Sequence, residues 1–269
     1  MAQENLTEIA KELRRDIVKM VHAAKSGHPG GSLSMVEFIT ALYFDKLNHD
    51  PKNSKMENRD RVILSKGHAA PALYAALGNS GYFPKEDLLT LRKFGSHLQG
   101  HASTKTNGIE VGTGSLGQGL SLATGIALSA RMDDNNFKTY AIMGDGELQE
   151  GQIWEAAMYA GNQKLNNLCA FVDFNNLQID GRVSDINDVE SLKDKWESFN
   201  WFVIEIDGNN MNEVLSAIEE FKTTKQDKPV VIIGKTLKGK GVSFMEDQAG
   251  WHGKAPSDEE LEIALNDLK

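Results

Sequence analysis

The chain has 269 residues, 40% of them hydrophobic and 25% charged, enough apolar material for one large core. A formal net charge of −9 argues against nucleic acid or an anionic membrane as a general partner. An anionic ligand would need a local positive pocket, a metal ion or helix N-termini. The one cysteine, Cys169, excludes an intrachain disulfide, and its apolar neighbours Leu168, Ala170 and Phe171 mark it as a buried structural thiol. No apolar run approaches the ~18 residues of a membrane span. The opening Met1-Ala2-Gln3-Glu4-Asn5 has neither the basic nor the apolar region of a secretion signal, so the expected location is cytoplasmic.

Leu6, Ile9, Leu13, Ile17, Val21 and Ala24 recur at helical spacing and predict an amphipathic first helix. It stops at Ser26-Gly27-His28-Pro29-Gly30-Gly31, and 33–47 reads as a second helix. A short strand at 61–65 runs into Lys66-Gly67-His68 and an Ala-rich helix ending near Gly78. From 113 to 132 a Gly-rich segment leads into a small-residue helix. Strands follow at 140–143, 168–174, 202–206 and 230–234, apolar on both faces, with helices near 152–164, 188–198 and 211–224 between them. The alternation predicts an α/β fold: a doubly wound, mostly parallel sheet with helices on both faces. Residues 1–269 are expected to form one domain, with a polar helical tail at about 256–269 that opens with a Ser257–Glu260 capping box.

Ligands in such sheets bind at the carboxyl ends of strands. Just past such ends lie His68, the turn Gly144-Asp145-Gly146-Glu147 and the pair Asn175-Asn176. Thirty positions separate Asp145 from Asn175, room for a helix and a strand. Each motif alone is an ordinary turn or loop. Together, each after an apolar strand, they suit a diphosphate held through Mg²⁺, which takes about six oxygens in octahedral geometry. Asp145 offers a carboxylate, Asn175 an amide oxygen, and the Leu177 carbonyl a third ligand. Only one protein charge is used, so the cation keeps charge for the diphosphate.

Gly144-Asp145-Gly146 with Asn175 resembles the thiamine diphosphate signature, and the surrounding islands resemble the transketolase family. They are Ser26 to Gly31, Ser65 to Ala69, Gly100-His101, Gly112 to Gly119, Gly144 to Gly151, and Asp173 to Gly181, all in the family's order. The match extends to His252. The resemblance implies thiamine diphosphate with Mg²⁺, or Ca²⁺ or Mn²⁺ in its place, and ketol transfer between sugar phosphates in the pentose phosphate pathway. It assigns the metal to Asp145, Asn175 and Leu177. It assigns the cofactor also to His68, Gly114, Leu116, Gly146, Glu147 and His252. His28 and His101 would meet the donor sugar's hydroxyls, with His68 and His252 beside the diphosphate and the substrate channel. Glu150 and Glu155 would belong to an acidic network across a dimer. Ala102-Ser103 and Ser115 depart from a proline–acid pair and a proline common in the family, which leaves the shape of those loops open.

Transketolases have three domains, and the chain looks like the diphosphate domain alone. The glutamate that activates the aminopyrimidine belongs to the domain it lacks. The resemblance therefore implies the N-terminal subunit of a split transketolase, inactive without a C-terminal subunit carrying the pyrimidine and C-terminal domains. A heterotetramer built on self-association of this chain is expected, with sugar phosphates as substrates and neither nucleic acid nor membrane as partner. The rivals are an α-type subunit of a 2-oxo acid dehydrogenase, a deoxyxylulose phosphate synthase-like enzyme, and a non-catalytic cofactor-binding relative. The Ser-Gly-His-Pro-Gly loop and the histidine set favour a polyhydroxylated substrate. Gly112-x-Gly114-x-x-Gly117 also fits a dinucleotide fingerprint, but the polar stretch before it makes a poor strand.

Overall fold

The protein is described by a computed structural model over residues 3–269. Its strands are β1 (Arg61–Leu64), β2 (Thr139–Gly144), β3 (Leu168–Phe174), β4 (Leu177–Gln178), β5 (Gly181–Arg182), β6 (Phe202–Asp207) and β7 (Val230–Lys235). Five of them form one sheet in the order β1-β2-β3-β7-β6, parallel at every pairing, as the alternating pattern predicts. β4 and β5 make a small antiparallel hairpin that the sequence pattern does not announce. Its pairing is two residues long, too short to show a period.

The helices are α1 (Gln3–Ala24), α2 (Pro29–Leu33), α3 (Val36–Ala41), α4 (Ala70–Ser80), α5 (Gln118–Met132), α6 (Gly151–Asn162), α7 (Val183–Ile186), α8 (Leu192–Ser198), α9 (Met211–Thr223) and α10 (Asp258–Asp267). The strand period of two divides them between two cores. Tyr140, Ile142, Cys169, Phe171, Val230 and Ile232 face α1, α3, α4 and α9, where Phe38 stacks on Phe171 at 3.9 Å. Ala141, Met143, Ala170, Val172, Val231 and Ile233 face α5, α6 and the Trp196–Trp201 pair. Leu6, Leu13, Ile17 and Val21 of α1 are fully buried, each such side chain contributing roughly 1.5–3 kcal/mol. Cys169 is a buried free thiol, as its apolar setting predicts.

Two predicted helices differ. The 33–47 segment divides: α2 ends at Leu33, α3 follows Met35, and 42–46 widens into a π turn. The break falls at Ser34, whose hydroxyl donates to Gly31 O at 3.2 Å and to the Asp173 carboxylate. The helix expected from 188 begins at Leu192, because the Asp188 carboxylate takes the Glu190 N–H at 2.9 Å and competes with helical pairing. At the tail, the Ser257–Glu260 capping box forms, and Ala264 and Leu268 join the core beneath α1. Among the described residues no helix is long and apolar enough to cross a membrane.

Candidate active site

A cleft of about 320 Å³ opens over the carboxyl ends of the sheet. Neighbouring strands each deliver one part: His68 and Lys66 follow β1, Asp145 follows β2, Asn175 follows β3, and Lys238 follows β7. Parallel pairing is what aims all of these segments in one direction.

Asp145 is 2% exposed. Its Oδ1 accepts from Gly146 N at 2.8 Å and its Oδ2 from Asn176 N. Asn176 reaches it through left-handed backbone, φ 55°, which asparagine tolerates better than most residues. Among the described residues no cation is ion-paired with Asp145. Burial, with the Asp173 carboxylate adding to it, pushes its carboxyl up to about 7. Asn175 Oδ1 accepts from Leu177 N at 3.1 Å, and its Nδ2 donates to Asp173 at 3.2 Å. Among the described residues no group of three or more His, Cys, Asp or Glu side chains is placed to hold a metal. The set available is a carboxylate, an amide oxygen and a carbonyl, a donor set suited to a hard cation that keeps phosphate oxygens and water. A dehydrated carboxylate without an ion pair, next to neutral oxygens, fits such an ion.

Four histidine rings form a wall of their own: His68, His101 and His252 line the cleft, and His28, outside its lining, packs against all three. His28 lies 5.3 Å from His68, 6.4 Å from His101 and 5.4 Å from His252, centroid to centroid, and His68 lies 5.1 Å from His252. Burial and then Arg92 bring His28 down to about 4. Burial and then Lys238 bring His252 to about 3. His68 is pushed down by burial and Lys66, and His101 by burial and Arg92. The wall is therefore neutral near pH 7, able to donate to and accept from hydroxyl groups.

Gly114, Leu116, Gly146 and Glu147 also line the cleft. The loop of Gly114 lies against Gly67, where a Cβ would come within 2.7 Å of Gly114 N. Glu147 is 3% exposed, and both its oxygens are taken by the protein: Oε1 by the Ser65 hydroxyl and Gly117 N (2.9 Å), Oε2 by Gly144 N (3.1 Å). It thereby ties the ends of β1 and β2 to the start of α5. Glu150 stands at the rim, just before α6. Glu155 lies outside the cleft on the exposed face of α6.

Sequence reasoning passes over four residues. Asp173, 0% exposed, accepts from Ser34, Thr236, Asn175 and the buried Lys66 ammonium. Lys238, 2% exposed, donates to Leu177 O at 3.2 Å and lies 3.0 Å from His252 Nδ1. Burial, then Lys66, brings the Lys238 ammonium down to about 8. Arg92 reaches the histidine wall from the side. Lys66 and Asp173 stand inside the family-like islands, so their position after strands is a usable signal. Lys238 and Arg92 lie in loops with no motif of their own.

Residues 5–268 match the family model described as "Transketolase, thiamine diphosphate binding domain". The chain is 46% identical over 268 residues to the "6-deoxy-6-sulfo-D-fructose transketolase subunit SqwG" of Clostridium sp. (strain MSTE9), covering 99% of this chain and 97% of that one. It is 44% identical over 269 residues to a subunit of the apulose-4-phosphate transketolase of Phocaeicola vulgatus, covering 100% of this chain and 95% of that one. Among solved structures, the transketolase of Campylobacter jejuni superposes with a TM-score of 0.94 at 36% identity, covering 100% of this chain and 43% of that one.

Proposed function

The chain belongs to the transketolase family, and from that premise we propose that it is the N-terminal subunit of a two-chain transketolase, moving a two-carbon ketol unit from a ketose phosphate to an aldose phosphate. The relatives that share its length are named as subunits, whereas the chain spans 43% of the Campylobacter jejuni enzyme. A partner chain carrying the pyrimidine and C-terminal domains would complete the cleft and bring the glutamate that activates the cofactor.

Bound thiamine diphosphate supplies the nucleophilic carbon that takes up the ketol unit and passes it on. This chain's residues would hold the diphosphate end. Asp145, Asn175 and the Leu177 carbonyl would ligate Mg²⁺, and Gly146 would let the backbone approach the phosphates. Lys238 would turn from the Leu177 carbonyl towards a diphosphate oxygen, its buried ammonium gaining a counter-charge. Glu147 would act one step back, by fixing Gly117 and Gly144. Neutral His28 and His101 would bind hydroxyls of the donor sugar, and His68 and His252 would line its approach. Glu150 and Glu155, at the start of α6 and on its exposed face, would look towards a second copy of the chain.

The observation that carries the reading is the buried Asp145, without an ion pair among the described residues, in one cleft with Asn175 and the imidazoles of His68, His101 and His252, against which His28 packs. The metal–diphosphate end and the sugar-binding histidines would then share one cleft. Mixing the chain with a pyrimidine-domain partner, thiamine diphosphate and Mg²⁺ should produce ketol transfer from xylulose 5-phosphate to ribose 5-phosphate or a related acceptor. Full activity from this chain alone, or acyl transfer from a 2-oxo acid, would overturn it. The two relatives name different sugars, so a panel of ketoses belongs in the assay.

A further inference from the structure

Arg92 has an unusual backbone. Its φ of 61° lies in the left-handed region, where a side chain with a Cβ is strained and glycine would be at ease. The segment is nonetheless pinned, since Arg92 N donates to Leu98 O at 2.8 Å. What holds an arginine there is the use of its guanidinium. Nη1 donates to Ser26 Oγ at 3.1 Å, and Nη2 lies 3.5 Å from both His28 Nδ1 and the Gly100 carbonyl. A Cβ at Gly100 would come within 2.8 Å of Arg92 Cζ, so the bare glycine leaves the guanidinium its place. The group is thus wedged between two segments, 26–28 and 100–101, that each carry a histidine of the wall.

A guanidinium only donates and never gives up its proton in a protein. The ring nitrogen facing it must therefore present a lone pair, which leaves the proton of a neutral His28 on Nε2. We propose that Arg92 is a positioning residue for His28: its guanidinium fixes the imidazole as the Nε2–H tautomer, so that the ring offers a hydrogen-bond donor. The value to the reaction rests on the proposed contact of His28 with the donor sugar. A sugar oxygen would then meet a fixed N–H instead of an imidazole free to exchange tautomers, and the ring would stay neutral as the pH falls. The other charged or titratable groups facing His28 are His68 after β1, His101 in the loop that Arg92 braces, and Lys238 and His252 after β7. Among the described residues, the donor that meets Nδ1 is that of Arg92.

The test is ¹⁵N NMR of the histidine rings in the isolated chain, for wild type, R92M and R92K. The wild type should show His28 as the Nε2–H tautomer with a titration midpoint well below 6.5. R92M should mix the tautomers and raise the midpoint by about half a pH unit or more. R92K, which keeps a donor and a charge, should restore much of the wild-type state. A wild-type His28 in the Nδ1–H form, or an R92M ring unchanged in tautomer and midpoint, would overturn the proposal. The wild-type spectrum decides the first point even if R92M fails to fold. With the partner chain added, R92M should move the acid limb of kcat/KM upward by a similar amount. If the NMR changes appear and this limb stays still, Arg92 keeps its positioning role and the assignment of His28 to the sugar is what fails.

Discussion

Asp145 and Asp173 stand at the ends of neighbouring strands of one sheet, and both are withdrawn from water, yet their surroundings are opposite. Asp173 collects the Lys66 ammonium, two hydroxyls and the Asn175 amide. Asp145 has two backbone N–H groups and, among the described residues, no ion pair; its carboxyl is held near 7 by burial and by Asp173 itself. The first is a completed internal network. The second is dehydrated with only two backbone N–H partners and no ion pair among the described residues, which is costly unless a cation arrives. The two aspartates thus differ in surroundings: Asp173 is tied into the fold, and Asp145 is the one left for the proposed cation.

The sharpest way to break this contrast is to remove the network's centre. Asp173→Ala strands a buried lysine and should cost about 3–5 kcal/mol in urea unfolding. A loss below about 1 kcal/mol would show that Asp173 is not structural. Glu147→Ala leaves two backbone N–H groups and the Ser65 hydroxyl unpaired and should cost about 2–3 kcal/mol, more than an equivalent change at exposed Glu155. Equal effects at the two glutamates would refute the role of Glu147 as a tie.

Asp145→Asn should do the reverse of Asp173→Ala and leave the metal-free chain as stable or slightly more so. The sign with pH follows from linkage. A carboxyl raised from 3.8 to about 7 binds a proton more readily in the folded state, so its stabilising contribution is present below 3.8 and is lost as pH rises through 7. The stability of wild type relative to Asp145→Asn should therefore fall between about pH 4 and 7, and added Mg²⁺ with thiamine diphosphate should reverse that fall in the assembled enzyme. A pH-independent difference between the two proteins would remove the contrast with Asp173. The smallest expected effect is Lys238→Met, which should weaken cofactor affinity about tenfold in the two-chain enzyme while leaving its unfolding free energy within about 1 kcal/mol.

The strands were legible because the central strands of an all-parallel sheet, covered on both faces, write themselves as short apolar runs: β2, β3 and β7 are buried almost throughout, while β6, at the edge, falls on its predicted run but is only half-buried, with Glu205 and Asp207 exposed. The Asp145–Asn175 pair was legible for the same reason, as residues just past strand ends. The break at Ser34 was not, since it depends on a carboxylate 139 residues away in sequence. Lys238 escaped notice because a lysine in a run of lysines and glycines reads as a solvated loop until folding buries it beside His252. Arg92 carries no periodic signal, and its contacts with Ser26, His28 and Gly100 exist only where two distant loops meet.

On the proposed function, Asp145 anchors half of a cofactor site that a second polypeptide completes. Calorimetric titration of thiamine diphosphate into the chain, with and without the pyrimidine-domain partner, tests it most directly. Tight binding should require both the partner and Mg²⁺ and should vanish in Asp145→Asn. Tight, Mg²⁺-independent binding by the Asp145→Asn chain would contradict the account.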